Sequence, residues 1–109
     1  FIISISLSAR KLRLAQNGRQ IRIYPVGVGR PGHATPLGSY VITVKRPNPG
    51  GPFGVMWLGL SIPRYGIHGT NNPASIGGYV SRGCIRMYNR DVLELAGMVP
   101  VGTPVRIIP

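Results

Sequence analysis

Residues 11–28, KLRLAQNGRQIRIYPVGV, decide how this chain folds. Apolar and polar residues alternate through Lys11–Ala15 and again from Ile21 to Val28, which is the period of a half-buried strand. Between the two runs lies Asn17-Gly18, the favoured pair for a tight hairpin turn because both central positions take positive φ. Upstream, apolar residues alternate with serine from Ile3 to Leu7. The pattern predicts an antiparallel meander over roughly the first 28 residues.

Working outward, GRPGHATPLG (29–38) is dense in turn formers and feeds SYVITVK (39–45), rich in β-branched residues. A second loop, RPNPGGPFG, follows, and strand-like sequence resumes at Val55–Ser61 and around Tyr65–His68. GTNNPASIGG (69–78) is expected to be irregular. The one helical stretch runs from Arg90 to Ala96, with Asn89 as N-cap, Gly97 as stop and Asp91 near the positive end of the helix dipole. TPVRII closes the chain as a last strand. Sixteen glycines and eleven prolines without a fixed period fit short strands joined by turns, so the expected class is mostly β with one short helix near residues 90–96. With 109 residues, 43% of them hydrophobic, the chain suits a single domain, 1–109, around one core.

Thirteen Lys and Arg against only Asp91 and Glu94 give a formal charge of +11, which draws the surface to polyanions. Nucleic acid and the acidic polymers of a bacterial envelope are both attracted by such a field. A small basic nucleic-acid-binding module is therefore the rival reading, although the chain has no aromatic-interleaved RNA motif and no zinc-finger pattern. No run approaches the roughly 20 apolar residues of a membrane span. The opening FIISISLSAR is too short and too broken by serine for a signal-peptide apolar region. A start at Phe1 rather than Met is what a processed or excised domain shows.

GYVSRGCIRMYN (78–89) holds the only cysteine. A lone cysteine forms no intramolecular disulfide. One Cys, two His and two carboxylates lack the paired spacings of zinc motifs, so no metal is expected. Free cysteines usually serve as small buried hydrophobes, but Cys84 sits between Arg82 and Arg86, and burying unpaired charge is costly. Nearby cations favour the thiolate. Gly83 leaves room for a substrate and lets the amides of Gly83 and Cys84 face a developing oxyanion. Of the two histidines, His68 ends an apparent strand beside a glycine-rich loop and is the better base, whereas His33 reads as a solvated surface residue.

IHGTNNPASIGGYVSRGCIRM (67–87) resembles the catalytic signature of the YkuD-like L,D-transpeptidases, with 16 positions between His68 and Cys84. The resemblance extends upstream to YPVGVGRPGHATPLGSYVI (24–42) and downstream to NRDVLELAGMVPVGTPVRI (89–107), nearly the whole chain. It implies a β-sandwich or open-barrel catalytic domain with Cys84 as nucleophile and His68 as base. The Gly69 carbonyl then orients the imidazole, as a backbone oxygen can accept the ring N–H in place of a carboxylate. Gly83 and Cys84 form the oxyanion hole, and Arg86, Arg82, Ser81 and Tyr65 bind substrate. Arg82 departs from the family pattern, which has His there.

The implied activity is attack on a peptidoglycan tetrapeptide stem, release of D-Ala and a 3→3 cross-link, with no cofactor and with reactivity toward carbapenems. Water as acceptor makes the same enzyme an L,D-carboxypeptidase. The implied setting is extracytoplasmic, in the cell wall or a spore envelope, with an export signal lying outside this chain.

Overall fold

The computed structural model of the protein describes residues 1–109. Strands β1 (Ile2–Ser6), β2 (Lys11–Gln16) and β3 (Arg19–Pro25) form the expected antiparallel meander. Asn17 and Gly18 turn the β2–β3 hairpin at φ 53° and 81°, the paired positive φ that the dipeptide foretells. A short β4 (Val28–Gly29) follows, then the long β5 (Gly38–Pro47), β6 (Met56–Leu60) and β7 (Gly66–His68). Beyond them come β8 (Tyr79–Ser81), β9 (Ile85–Arg86), the helix α1 (Asn89–Met98) and β10 (Pro104–Ile108).

Eight strands make one sheet in the order β3-β2-β1-β10-β5-β6-β7-β9, while β4 and β8 pair as a separate ribbon. The sheet curls into a half-barrel, so the chain is mostly β with one helix, as its turn-rich composition predicts. β10 inserts between β1, which it meets in parallel, and β5, which it meets antiparallel. Alternation sends Ile3 and Ile5 of β1 and Leu12 and Leu14 of β2 into the core, where Ile42, Leu58, Ile67, Ile85 and Leu95 join them, all fully buried. Each such side chain contributes about 1.5–3 kcal/mol by leaving water. No helix is long and apolar enough to cross a membrane.

The helix corrects two readings. It spans Asn89–Met98 rather than Arg90–Ala96, and Tyr88, with no side-chain cap, precedes it. Asn89 is thus the first helical residue, and its side chain bonds elsewhere, to the Thr70 N–H. Gly97 does not stop the helix but lies within its last turn, and Val99 follows as C-cap. Val92, Leu95 and Ala96 form the buried face, which packs on β6 and β7. At the C-terminal end the Lys45 ammonium donates to the Ala96 carbonyl at 2.7 Å, placing a cation at the negative pole. Asp91 lies in the first turn as expected.

Candidate active site

β7 and β9 pair in parallel, with Ile67 opposite Ile85 and His68 opposite Arg86. This register closes the 16-residue interval, because it sets the C-terminal end of β7 beside the segment that carries Cys84. His68 and Cys84 both line a cavity of about 450 Å³, with Arg30, Pro52, Phe53, Ser81, Arg82 and Arg86 completing its walls. A larger cleft of about 570 Å³ follows the β2–β3 hairpin, but its walls, Gln16 to Arg22, include no nucleophile or base. The thiol and the imidazole belong to the smaller cavity.

His68 is 3% exposed. Its Nδ1 lies 2.5 Å from the Gly69 carbonyl, and since a carbonyl only accepts, Nδ1 carries the proton and Nε2 keeps its lone pair. Trp57 stacks on the imidazole at 5.6 Å and 14°, and Phe53 meets it edge-on at 5.0 Å and 90°. Burial pushes the imidazolium pKa below the usual 6.5; the Gly69 bond opposes this and the Arg86 charge adds to it. The ring is therefore neutral at neutral pH and able to take a proton.

Cys84 is half-buried, and its thiol donates to the Arg64 carbonyl at 3.6 Å. Arg64 holds φ 75° in the turn between β6 and β7, a left-handed conformation uncommon for a non-glycine residue. Burial raises the thiol above its ordinary 9.0, with the Gly66 N–H and the Arg86 charge pulling the other way. This corrects the expectation that flanking arginines would leave a depressed thiol: burial wins, and of the two arginines only Arg86 acts on the sulfur. The resting pair is a neutral thiol beside a neutral imidazole.

The loop around Cys84 is held by hydroxyls. Buried Ser81 accepts the Gly83 N–H at 3.0 Å and donates to the Cys84 carbonyl at 2.6 Å. Its Oγ is thereby used inside the loop, so Ser81 supports the turn while also lining the cavity. The Gly83 amide is engaged by the same bond, whereas the Cys84 N–H has no partner in the protein. Gly83 has φ 126°, and a Cβ there would meet Tyr65 Cε1 at 2.4 Å. Tyr65 thus lies against Gly83 and is not part of the cavity wall.

Three arginines, Arg30, Arg82 and Arg86, line the cavity without a carboxylate among the lining residues. The chain's two ion pairs, Arg22–Glu94 and Arg90–Asp91, involve none of them. Arg30 escapes sequence reasoning because it sits in the turn-rich 29–38 loop, brought to the site by its N–H bond to the Ser81 carbonyl at 2.9 Å. Trp57, Phe53 and Asn89 are also missed, since nothing local marks an aromatic or an amide as a neighbour of the base. His33 is exposed and outside the cavity.

The YkuD family model, described as the L,D-transpeptidase catalytic domain, matches residues 1–107. A Bacillus licheniformis protein named YkuD, provisionally assigned as an L,D-transpeptidase, is 60% identical over 107 residues, which is 98% of this chain and 65% of that protein. Its Bacillus subtilis namesake is 55% identical over 105 residues, 96% of this chain and 64% of that protein. The chain therefore spans a little under two thirds of these relatives. The structure of the L,D-transpeptidase LdtMt1 in complex with imipenem has the same fold, with a TM-score of 0.84 at 22% identity over 98% of this chain and 58% of that one.

Proposed function

The chain belongs to the YkuD family of L,D-transpeptidase catalytic domains, and from that membership we propose that residues 1–109 act as one catalytic domain, a cysteine acyltransferase on peptidoglycan stem peptides. The observation that carries the mechanism is that Cys84 and a carbonyl-held His68 line one cavity together with three arginines that form no ion pair. His68 Nε2 takes the thiol proton as Sγ attacks the carbonyl of the third residue of a tetrapeptide stem. The tetrahedral oxyanion rests on the Cys84 N–H. Its collapse breaks the peptide bond, and His68 returns the proton to the departing D-Ala amine, leaving a thioester on Cys84.

The side-chain amine of a second stem then attacks the thioester, His68 accepts the amine proton, and a 3→3 cross-link forms with the thiol restored. Water in place of the amine gives carboxypeptidase chemistry through the same acyl-enzyme. Arg86 and Arg82, with Arg30, hold stem carboxylates, since a guanidinium fork binds two oxygens at once. A net charge of +11 adds long-range attraction to acidic wall polymers. The activity is extracytoplasmic, where peptidoglycan stems are found.

Carbapenems mimic the acyl donor in this scheme, in line with the imipenem complex of LdtMt1. Intact-mass spectrometry after incubation with imipenem tests it. Wild type gains one covalent adduct per chain and Cys84→Ala, which keeps a small side chain in place of the nucleophile, gains none. Equal adduct on both proteins would refute the mechanism.

A further inference from the structure

Thr35, in the Thr35-Pro36-Leu37-Gly38 stretch, is remote from the catalytic pair in sequence and has no part in the scheme above. It is nevertheless 4% exposed, with a hydroxyl that joins two backbones. Oγ1 accepts the Gly29 N–H at 3.1 Å and donates to the Gly83 carbonyl at 2.8 Å. The loop it belongs to presses so closely on β4 that a Cβ at Gly29 would lie 2.1 Å from the His33 carbonyl oxygen and 2.7 Å from the Thr35 nitrogen.

The bond to Gly83 has a stereochemical consequence. The Gly83–Cys84 peptide is planar and trans, so its C=O and the following N–H point in opposite directions. Drawing the Gly83 oxygen toward the buried Thr35 hydroxyl turns the Cys84 N–H the other way, and Cys84 itself borders the cavity. That N–H has no partner in the protein. Ser81 fixes the preceding peptide by accepting the Gly83 N–H and fixes the following one by bonding the Cys84 oxygen. The Cys84 N–H is thus left for a ligand oxygen beside the thiol, and its direction is set from outside the loop.

We propose that Thr35 is the positioning residue of the oxyanion hole: its hydroxyl holds the Gly83–Cys84 peptide with the Cys84 N–H directed at the oxygen of the bound acyl group. The proposal rests on the acyl-transfer reading of Cys84. It is separable from that reading because carbonyl attack needs an oxyanion donor, whereas alkylation of the same sulfur by iodoacetamide displaces iodide and generates no oxyanion.

The test compares Thr35→Val, which keeps the shape and removes the hydroxyl, with Thr35→Ser, which keeps the hydroxyl. Imipenem acylation and iodoacetamide alkylation of Cys84 are both timed, and urea unfolding confirms that each variant is folded. Thr35→Val should lower the maximal acylation rate by roughly 10²-fold to 10³-fold, the range for loss of one oxyanion donor. The concentration for half-maximal rate and the alkylation rate should stay within about twofold of wild type, and Thr35→Ser should recover acylation to within about tenfold. Wild-type acylation by Thr35→Val, or an equal fall in both reactions, would overturn the proposal. A wild-type protein that alkylates but never acylates would instead refute the acyl-transfer reading itself. A second measurement needs no variant: the Cys84 amide should exchange its hydrogen rapidly in the free protein and slowly in the imipenem adduct, and unchanged exchange would also overturn the assignment.

Discussion

Asn89 Oδ1 accepts the Thr70 N–H at 3.0 Å, tying the first residue of α1 to the loop whose Gly69 carbonyl holds the His68 ring. The approach is close enough that a Cβ at Gly69 would lie 2.1 Å from the same oxygen, and one at Gly54 2.2 Å. Asn89→Ala leaves the amide of buried Thr70 without a partner, which costs about 1–3 kcal/mol. The variant should unfold at lower urea and acylate more slowly, while Asn89→Asp, which keeps the acceptor, should recover most of the stability. Equal denaturation midpoints for Asn89→Ala and wild type would show that the bond does not hold the loop.

The two histidines should part company under substitution. His68→Gln removes the base and should slow imipenem acylation by roughly 10²-fold to 10⁴-fold. His33→Gln, at an exposed position outside the cavity, should acylate at the wild-type rate. Rates that fall alike in both would remove His68 from its role.

The thiol should titrate late. Burial lifts Cys84 above 9.0, so iodoacetamide alkylation should reach half its maximal rate at a pH above 9.0. Arg86→Gln should move that midpoint higher, because it deletes a charge that favours the thiolate, whereas Arg82→Ala should leave it in place. A midpoint that rises for Arg82→Ala but not for Arg86→Gln would reverse the electrostatic assignment.

Stability should fall away on both sides of neutrality. His68 has a folded pKa below 6.5, so at pH values just under 6.5 the unfolded chain binds the extra proton and stability declines as pH drops. Cys84 behaves oppositely: its folded pKa lies above 9.0, the unfolded thiol ionises first, and stability declines as pH climbs past 9.0. Tyr24, raised far above its ordinary 10.0 by burial and by the Glu94 carboxylate that accepts its hydroxyl at 2.5 Å, deepens the alkaline loss. Urea midpoints measured across pH should trace this plateau. His68→Gln should flatten the acid side just below pH 6.5, and persistence of the full decline in that variant would contradict the burial argument.

Much of this architecture can be seen in the residues themselves, for reasons that are local. The β2–β3 hairpin is legible because Asn17-Gly18 supplies a turn that few other pairs allow, and β1, β2 and β5 because their burial alternates or their residues branch at Cβ. β8 and β9 are three and two residues long, shorter than any period can register, and they exist because β4 and β7 offer partners. Asn89 has the chemistry of an N-cap, but a partner 19 residues upstream in sequence, Thr70, competes for its oxygen and wins. Cys84 and His68 stand out through residue type and spacing, whereas the state of the thiol, the engagement of the Gly83 amide and the arrival of Arg30 and Thr35 depend on loops that only the folded chain brings together.

Within the main sheet, β10 alone joins the meander β3-β2-β1 to the strands β5, β6, β7 and β9, where His68 ends β7 and Cys84 directly precedes β9. During ribosomal synthesis these two half-sheets are complete long before the strand that unites them emerges, and each meanwhile presents an unpaired edge. The pairing of Ile3 with Val105 closes a loop of nearly the entire chain, a high contact order that makes folding slow and late. A nascent chain that ends before Pro104 should therefore remain protease-sensitive and inert toward imipenem, so that reactivity appears only with the last strand of the sequence.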